Sequence, residues 1–306
     1  KRMRLLNLIL SLVILSTMTL TSLAQVIELN PVISRDEGKF HLSVDGTQSD
    51  IQELAQQVFS LHGAFQLVKP DQAAVKVGLE AIAVDTVLLR IEANGQVQER
   101  EIRGSRLDTA VLRACDLVVN WATGLNGFFS GKLAFVAKRN GVSEIYSSDL
   151  LFQEVRALTS DRSLVTGPSW SPGGTQLLFT TYYKSGFPDI YKLDLLAGLK
   201  KPIASYKGTN TGGSFSPDGR RIAMVLSGTG NSEIWVADNN GKNRKRMTRN
   251  DSLEASPSWS PDGSRLVFTS DSAGLPQLYE MNIESGPMRR LPTAVSRYCT
   301  EPAWNP

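Results

Sequence analysis

The chain has 306 residues, of which 41% are hydrophobic and 21% are charged. This composition is typical of a folded globular protein and excludes a disordered or collagen-like chain, and the length is sufficient for about two domains. The formal charge of +3 comes from Lys1, Arg2 and Arg4, because thirty basic and thirty acidic residues remain without them. The basic balance therefore does not indicate a nucleic-acid partner, and we predict none.

Residues 1–24 are typical of a secretory signal peptide. The basic start is followed by the apolar run Leu5–Leu20, and Ser22 and Ala24 supply the small residues that precede a cleavage site. An uncleaved membrane anchor is the alternative, but the run of 16 residues is shorter than the roughly 20 that a spanning helix needs. We predict export with cleavage after Ala24 and no membrane insertion afterwards.

Residues 25–127 are predicted to form a small α/β domain. A helix from Asp50 to the stop at Gly63 has Glu53 at the spacing of a capping box and has one apolar face. The other predicted elements are a strand over Ala64–Val68, a hairpin of Val87–Ala93 and Gln96–Arg103, and a helix over Asp108–Ala122. Neither a GxGxxG motif nor a Walker loop is present, so no nucleotide cofactor is expected.

Residues 128–306 contain a repeat of 44 or 45 residues. Its most regular part is a Ser-aromatic-Ser-Pro-Asp-Gly segment, in which Pro, Asp and Gly suit consecutive positions of a type I turn. The copies are Ser169–Gly174, Ser214–Gly219, Ser258–Gly263 and the incomplete Ala303–Pro306. Three further apolar runs recur between the turns, which makes four strands per repeat, the pattern of a propeller blade. We predict a partial all-β propeller of WD40-like blades, with four blades between Gly131 and Pro306.

An aromatic residue occupies the same place in each repeat, namely Trp170, Phe215, Trp259 and Trp304. Packing between neighbouring blades needs one such residue per blade. We therefore predict that these side chains wedge between blades, and a ligand-binding aromatic box is the alternative.

One stretch of the repeat region is strongly basic. Five cations lie between Lys242 and Arg249. We interpret them as a solvated hairpin edge, where cations discourage pairing with other strands. A surface that meets an acidic partner is the alternative.

Residues that could support catalysis or metal binding are scarce. The only histidines are His41 and His62, so a Ser/His/Asp triad would need one of them, and His62 ends a predicted helix where a capping or cationic role suffices. Cys115 and Cys299 show no metal-binding spacing and are predicted to be unpaired, buried thiols. We predict no catalytic residue, no metal and no cofactor.

These features together resemble the TolB family. The resemblance rests on the order of signal peptide, small α/β domain and blades, and on two segments, Leu61–Phe65 and Thr123–Phe128, which are similar to the family's Leu-x-Ser-Gly-x-Phe and Thr-Gly-x-x-Gly-x-Phe. His62 and Gly173 depart from the family pattern. The resemblance implies a six-bladed propeller, of which about two blades would lie beyond Pro306. It also implies a periplasmic scaffold and not an enzyme.

The resemblance further implies two protein partners in a system that maintains outer-membrane integrity and supports cell division. A TolA-like inner-membrane protein would contact the N-terminal strand through Val26, Ile27 and Leu29. A Pal-like outer-membrane lipoprotein would contact the loops just before the Ser-aromatic strands, for which ordinary tight connections are the alternative. These candidate residues are Thr166, Gly167, Pro168, Thr211, Gly212, Gly213, Ala255, Ser256, Pro257, Thr300, Glu301 and Pro302. The chain itself is expected to be a monomer.

Two other function classes compete with the scaffold. Similar propellers precede the hydrolase domain of exported prolyl-oligopeptidase-like enzymes, which would require a Gly-x-Ser-x-Gly motif and a histidine beyond Pro306, because the 306 residues contain no such motif. A sugar- or lactone-binding propeller would require acidic residues or histidines along its channel, where the predicted strands are mostly apolar. The scaffold is therefore the favoured hypothesis.

Overall fold

The computed structural model describes residues 38–184, 186–284, 286–293 and 296–304. The predicted signal peptide and the candidate residues Val26, Ile27 and Leu29 lie outside this part of the chain. Within it, no helix is long and apolar enough to cross a membrane.

The first unit of the described chain is a five-stranded sheet that shares one core with two helices. Its elements are β1 (Phe40–Gly46), β2 (Phe65–Leu67), β3 (Val75–Ala83), β4 (Thr86–Ala93), β5 (Gln96–Arg103), α1 (Ser49–Leu61) and α2 (Leu107–Thr123). The strand order is β2-β1-β3-β4-β5, with β1 parallel to β2 and β3 and the other neighbours antiparallel. Both helices bury their apolar faces against the sheet, with Phe59 fully buried at the centre.

The sequence predicts both helices and the hairpin of this unit to within two residues. It misses strands β1 and β3, and the capping box that it predicts is wrong. The capping box does not form, because Gln48 occupies the N-cap position and the Asp50 carboxylate accepts a hydrogen bond from the neighbouring Ile51 N–H (3.0 Å). Strands β1 and β3 are not predicted, although β3 alternates buried residues with more exposed ones. That alternation is the ordinary strand signal.

A short junction leads from α2 into the first blade, and Asp116 holds it in place. The Asp116 carboxylate accepts hydrogen bonds from the backbone N–H of Phe129 (2.7 Å) and of Ser130 (2.9 Å). Gly127 passes so close that a Cβ at this position would lie 2.4 Å from the Asp116 Cα, so only glycine fits. Because Leu150 and Leu151 of the blade pack against the helical core, the junction places the two units in direct contact.

Four antiparallel sheets follow, which we number blades 1 to 4. Blade 1 consists of β6 (Lys132–Arg139), β7 (Val142–Asp149) and β8 (Arg156–Ala157). Blade 2 consists of β9 (Val165–Trp170), β10 (Gln176–Thr181), β11 (Asp189–Asp194) and β12 (Leu199–Ala204). Blade 3 consists of β13 (Asn210–Phe215), β14 (Arg221–Leu226), β15 (Glu233–Asp238) and β16 (Lys245–Arg246). Blade 4 consists of β17 (Glu254–Trp259), β18 (Arg265–Ser270), β19 (Gln277–Asn282) and β20 (Arg289–Arg290).

The blades are shifted by one strand relative to the repeat that the sequence predicts. The prediction of a propeller with four blades from Gly131 is confirmed, but β9 pairs with β10 and is therefore the first strand of blade 2. Blade 1 has three strands within the described residues, not four. The shift follows from the Ser-Pro turn, which is short enough to make the strands on either side of it direct neighbours. The first strands of successive blades contact each other, which places them innermost.

The Ser-Pro-Asp-Gly segments form the predicted tight turns. In blade 3, Gly219 has a φ of +68° and its N–H donates to the Ser216 carbonyl oxygen (2.8 Å), while the Ser216 hydroxyl donates to Asp218 (2.5 Å). In blade 4 the Ser260 hydroxyl donates to Asp262 (2.6 Å), which lowers the pKa of Asp262 to about 2. The turn is held by groups within the motif itself, so its sequence recurs wherever the turn recurs.

The repeated aromatic residue packs between blades, as the sequence predicts. Trp259 lies in a core formed by blades 3 and 4, and its Nε1–H donates to the Ser214 carbonyl oxygen (3.1 Å). The Arg221 guanidinium of blade 3 lies 5.0 Å from the centre of the Trp259 ring. Trp304 repeats this arrangement beyond blade 4, where Arg265 lies 5.0 Å from its ring. These aromatic side chains therefore join each blade to the one before it.

Candidate partner-binding face of the propeller

One end of the propeller collects two sets of connections. Because neighbouring strands are antiparallel, the link from an outermost strand to the next innermost strand emerges at the same end as the hairpin between the second and third strands. Backbone hydrogen bonds join the two sets, for example from the Glu254 N–H to the Ser232 carbonyl oxygen (3.0 Å). We call this end the loop face. Apart from residues 185, 294 and 295, the structure describes all of its connections, which are 140–141, 158–164, 182–188, 205–209, 227–232, 247–253, 271–276 and 291–298.

In blades 2 to 4 the predicted partner residues lie within the innermost strands, so the prediction that these three segments form loops is wrong. Thr166–Pro168 belong to β9, Thr211–Gly213 to β13 and Ala255–Pro257 to β17. The physical reason is that each innermost strand begins one residue before these segments and pairs with the second strand of its blade. Thr300–Pro302 hold the equivalent place after blade 4 and have no strand assignment.

Each of these segments has its middle residue in the left-handed region. Gly167, Gly212, Ser256 and Glu301 have φ values of +59°, +67°, +51° and +54°. In blades 2 to 4 the register of the innermost strand shifts at this point, which is a β-bulge. Glycine adopts this conformation freely, whereas other residues lose about 1–2 kcal/mol. That Ser256 and Glu301 adopt it indicates that the fold imposes the bulge on every copy.

The bulge separates accessible residues from buried ones. Thr166, Gly167 and Ala255 are exposed, whereas Gly213 and Pro257 are buried. The third residue of every segment is buried or half-buried. The first residues of the predicted segments therefore lie near the loop face, whereas the last residues are used for packing.

A second set of candidate residues on the loop face is missed by the sequence predictions. In three of the four copies the residue two positions before the predicted segment is a large apolar one, and these residues, Leu164, Leu253 and Tyr298, are 51%, 56% and 60% exposed. Large exposed apolar groups that cluster in one place mark contact surfaces. The same 44- or 45-residue period that identifies the turns would have found this position. Further exposed apolar side chains of the loop face are Tyr183, Phe187, Tyr206 and Leu275.

The exposed charges of the loop face are mostly basic. Within the described residues, the exposed cations are Arg162, Lys184, Lys207, Arg249 and Arg297, and the exposed acids are Asp251 and Glu301. Complementary potentials steer association and select partners. The charge balance therefore favours a partner with an acidic surface.

A buried polar residue in each blade fixes the connections of this face. These anchor residues lie at or near the start of the third strand and are Glu144, Asp189, Glu233 and Gln277. In blade 1, Glu144 accepts hydrogen bonds from the Thr159 hydroxyl (2.5 Å) and the Arg162 N–H (2.7 Å). In blade 2, the Ser205 hydroxyl donates to Asp189 (3.0 Å). Because buried hydrogen bonds to carboxylates are stronger than ordinary ones, the anchors hold the exposed side chains in a defined arrangement.

The basic cluster from Lys242 to Arg249 is mostly the exposed hairpin edge that the sequence predicts. Lys242 and Arg249 are exposed, and the Lys245 Nζ donates to the Glu284 carbonyl oxygen of blade 4 (3.2 Å). Arg246 differs, because it is half-buried and forms an ion pair with the buried anchor Glu233 (2.5 Å). Arg246 thus contributes to the buried contacts beneath the loop face.

His62 has a structural role. It follows the end of α1, where its Nδ1 accepts a hydrogen bond from the Ala64 N–H (3.2 Å) and its ring stacks on Phe128 with 5.5 Å between ring centres. Burial lowers the pKa of His62. The capping position is therefore confirmed, and an Nδ1 that accepts a hydrogen bond favours a neutral ring over the cationic role.

Both cysteines are free thiols, as predicted. Cys115 is buried in α2, and this burial raises the pKa of its thiol. Cys299 is only half-buried, contrary to the prediction, because it lies at the edge of the loop face. Within the described residues, no group of three or more His, Cys, Asp or Glu side chains could hold a metal ion.

Comparison with known proteins finds related sequences. The family described as TolB beta propeller domain matches residues 119–306. The Tol-Pal system protein TolB of Bordetella pertussis is 34% identical over 172 residues, which cover 56% of this chain and 39% of that protein. The protein TolB homolog of Chlorobium luteolum is 32% identical over 187 residues, which cover 61% of this chain and 42% of that protein. The chain thus spans about two fifths of the length of these curated relatives.

A solved structure has the same fold. The crystal structure of TolB from Acinetobacter baumannii superimposes with a TM-score of 0.72 at 22% identity, over 89% of this chain and 75% of that chain. At this level of identity the likeness concerns the fold alone. It agrees with an α/β unit that is followed by propeller blades.

Proposed function

The chain belongs to the TolB β-propeller domain family, and on this premise we propose that it is a periplasmic, non-enzymatic scaffold that binds other proteins. The relatives that match it carry the name TolB, and one is described as a protein of the Tol-Pal system. The proposed organisation is a signal peptide over residues 1–24, an α/β domain over 25–127 and a propeller over 128–306.

The observation that carries the proposal is the repeated exposed apolar position on the loop face. Leu164, Leu253 and Tyr298 are more than half exposed, and they occupy the same position of the repeat. Clustered exposed apolar side chains lower the solubility of a protein unless a partner covers them. Apolar side chains surrounded by charges correspond to the core and rim of a protein–protein interface.

We assign the loop face to a Pal-like lipoprotein. The accessible residues Thr166, Gly167 and Ala255 belong to innermost strands that begin at this face, directly after the exposed Leu164 and Leu253. The excess of exposed cations suits an acidic partner surface. The remaining predicted residues of the segments would support this surface from inside the propeller.

A TolA-like inner-membrane protein is the second proposed partner. Its contact would involve Val26, Ile27 and Leu29, which lie outside the described residues. Through the two contacts the protein would link the inner and outer membranes, contribute to outer-membrane integrity and support cell division. We propose that the chain is monomeric on its own.

The test measures binding between the exported protein and the soluble domain of the Pal-like lipoprotein from the same organism. Replacing Leu253→Ser and Tyr298→Ser together should weaken binding at least about tenfold, because truncation of central apolar contacts removes most of the binding energy at such interfaces. Leu196→Ser is the matched control, since Leu196 is 84% exposed but lies in a turn at the opposite end of the propeller.

Equal binding by the double variant and the control would contradict the assignment of the loop face. Absence of any lipoprotein among the proteins captured by the full-length chain from envelope extracts would contradict the scaffold itself. A reading frame that continues after Pro306 into a Gly-x-Ser-x-Gly hydrolase domain would support the competing hydrolase interpretation.

A further inference from the structure

The contact between blades 3 and 4 at the loop face contains two buried carboxyl groups. Glu233, the anchor at the start of β15, is 0% exposed, and Glu254, the first residue of β17, is 1% exposed. The Glu233 Oε1 accepts hydrogen bonds from Arg246 (2.5 Å) and from the Asn250 N–H (3.2 Å). The Glu254 Oε1 accepts from the Ser270 hydroxyl (2.9 Å) and from the Asn250 amide (3.2 Å). Both carboxyl groups therefore hold the connection 247–253 through Asn250.

The second oxygen of each carboxyl group has no donor from elsewhere. Within the described residues, no N–H or O–H group donates to the Oε2 of Glu233 or of Glu254, and both atoms are buried. Both carboxyl groups accept a hydrogen bond from Asn250, and they lie close enough to interact with each other. A hydrogen bond between two carboxyl groups requires a proton, because two carboxylates offer only acceptors. Two ionised carboxylates that share a buried site would repel each other strongly.

The neighbouring contact, between blades 2 and 3, has a hydrogen-bond donor at the position of Glu254. There the anchor is Asp189, and the position 44 residues before Glu254 is Asn210. The Asn210 amide donates to the Asp189 carboxylate (3.3 Å). Asn210 thus supplies a hydrogen-bond donor by its chemistry, whereas Glu254 can donate to Glu233 only when it carries a proton. In the contact between blades 1 and 2 the equivalent residue is Val165, and the anchor Glu144 takes its donors from Thr159 and Arg162 instead.

We propose that Glu233 and Glu254 share one proton, carried by Glu254, and that this proton fastens the connection 247–253 to the propeller in a pH-dependent way. Loss of the proton leaves two carboxylates and one nearby cation, Arg246, which already pairs with Glu233. The connection then loosens, because Asn250 can no longer hold both groups together. This inference concerns the fold and holds whichever protein binds the loop face.

The surroundings of the pair contain few other charges. Arg249 and Asp251 of the connection are exposed, and Asp271, between β18 and β19, accepts a hydrogen bond from the Leu253 N–H (2.8 Å). On the side of β20, Asn250 contacts the uncharged Met288 sulfur (3.7 Å). No described cation other than Arg246 is paired with either carboxyl group.

The electrostatics agree with the geometry. Burial, together with the nearby Glu233, raises the pKa of Glu254 from an ordinary 4.5 to about 7. Burial also disfavours ionisation of Glu233, but the nearby Thr248 hydroxyl and the hydrogen bonds from Arg246 and Asn250 outweigh this effect and lower the pKa of Glu233. Between pH 4.5 and about 7 the folded protein keeps a proton that the unfolded chain has lost, so stability falls as the pH rises through this window and then levels off.

The test is amide hydrogen exchange of the peptide that covers 247–254, measured at about pH 5.5 and about pH 8.5 and corrected for the intrinsic rates. In the wild-type chain, protection should fall about tenfold or more at the higher pH. Glu254→Gln supplies a permanent donor, so its protection should stay the same at both pH values. Asn210→Asp builds a second carboxyl pair with Asp189, so it should transfer the pH dependence to the connection 205–209.

Identical pH dependence in the wild-type chain and Glu254→Gln would overturn the proposal. So would the absence of new pH dependence in a folded Asn210→Asp chain. If Glu254→Gln does not fold, the infrared band of a buried protonated carboxyl group decides the question in the wild-type chain. That band should be present near neutral pH and disappear in Glu233→Gln, and a band that is absent below neutral pH would overturn the shared proton.

Discussion

The α/β unit and the propeller bury their apolar residues in different ways. In the α/β unit, all five strands and both helices share one core that extends from Phe40 to Phe129. In the propeller the cores are smaller and separate, and each is shared by two neighbouring blades. A defect in the first unit should therefore be felt throughout that unit, whereas a defect in the propeller should stay between two blades.

The largest expected effect comes from the centre of the α/β core. Phe59 is fully buried, and its ring contacts Phe65 and Phe129 with 5.2 and 5.7 Å between ring centres. Phe59→Ala should destabilise the unit by about 4 kcal/mol, because it removes a large buried side chain and leaves a cavity. Urea unfolding measures the loss, and hydrogen exchange should increase in all five strands.

The control for this variant is Leu61→Ala, because Leu61 lies on the same helix but is 78% exposed. Its effect should be below about 0.5 kcal/mol. Exchange that increases only within α1 in Phe59→Ala would show that the core is not a single unit.

The second effect tests the separation of the propeller cores. Trp259→Ala should cost about 3 kcal/mol at the contact between blades 3 and 4, since it removes the buried ring, its hydrogen bond to Ser214 and its contact with Arg221. Hydrogen exchange should increase in these two blades and remain unchanged in blades 1 and 2.

Trp259→Phe is the matched variant, because the equivalent position of blade 3 is Phe215. It should recover more than half of the lost stability. If blades 1 and 2 lose protection as strongly as blades 3 and 4, the propeller is one cooperative unit, and the contrast with the α/β core disappears.

The smallest effect concerns a turn and should stay within a few residues. Ser260→Ala removes the hydroxyl that lowers the pKa of Asp262 to about 2, so this pKa should rise toward its ordinary value of 3.8. The stabilisation from ionised Asp262 is present above its ordinary pKa and is lost as the pH falls through about 2, so the variant should lose it at a higher pH. An NMR titration of the Asp262 carboxyl group measures the shift.

Ser216→Ala is the comparison for this turn, because it should change the titration of Asp218 in blade 3 and leave Asp262 unaffected. A change at both carboxyl groups would mean that the turns communicate between blades. An unchanged titration of Asp262 in Ser260→Ala would mean that the hydroxyl does not stabilise the ionised form.

Much of the fold could be predicted because its signals are local or periodic. The turn at Ser216 and Asp218 is held by its own side chains, and the apolar face of α1 repeats with the helical period. The wedge position of Trp259 follows from one large aromatic residue per repeat. The predicted capping box at Asp50 is wrong although its residue types fit a local rule. The helix begins two residues earlier, with Gln48 at the N-cap position.

The candidate site was less predictable than the fold. The period located the segments around Gly167, Gly212 and Ser256, but only the strand pairing shows that they are bulges inside the innermost strands. The exposed position at Leu253 and the anchor Glu233 also follow the period, yet their residue types resemble an ordinary core residue and an ordinary surface residue. Burial, which decides their roles, is set by residues of the next blade.

The sequence by itself determined the repeat, the tight turns, the aromatic wedges and the scarcity of catalytic groups, because each depends on residues close in the chain or on a regular spacing. Only the tertiary structure decided which end of the propeller gathers the exposed apolar side chains, and that Glu233 meets Glu254. The physical reason is that a blade edge is completed by the following blade. Contacts across that edge join residues that are far apart in the chain, and no local sequence pattern indicates which of them meet.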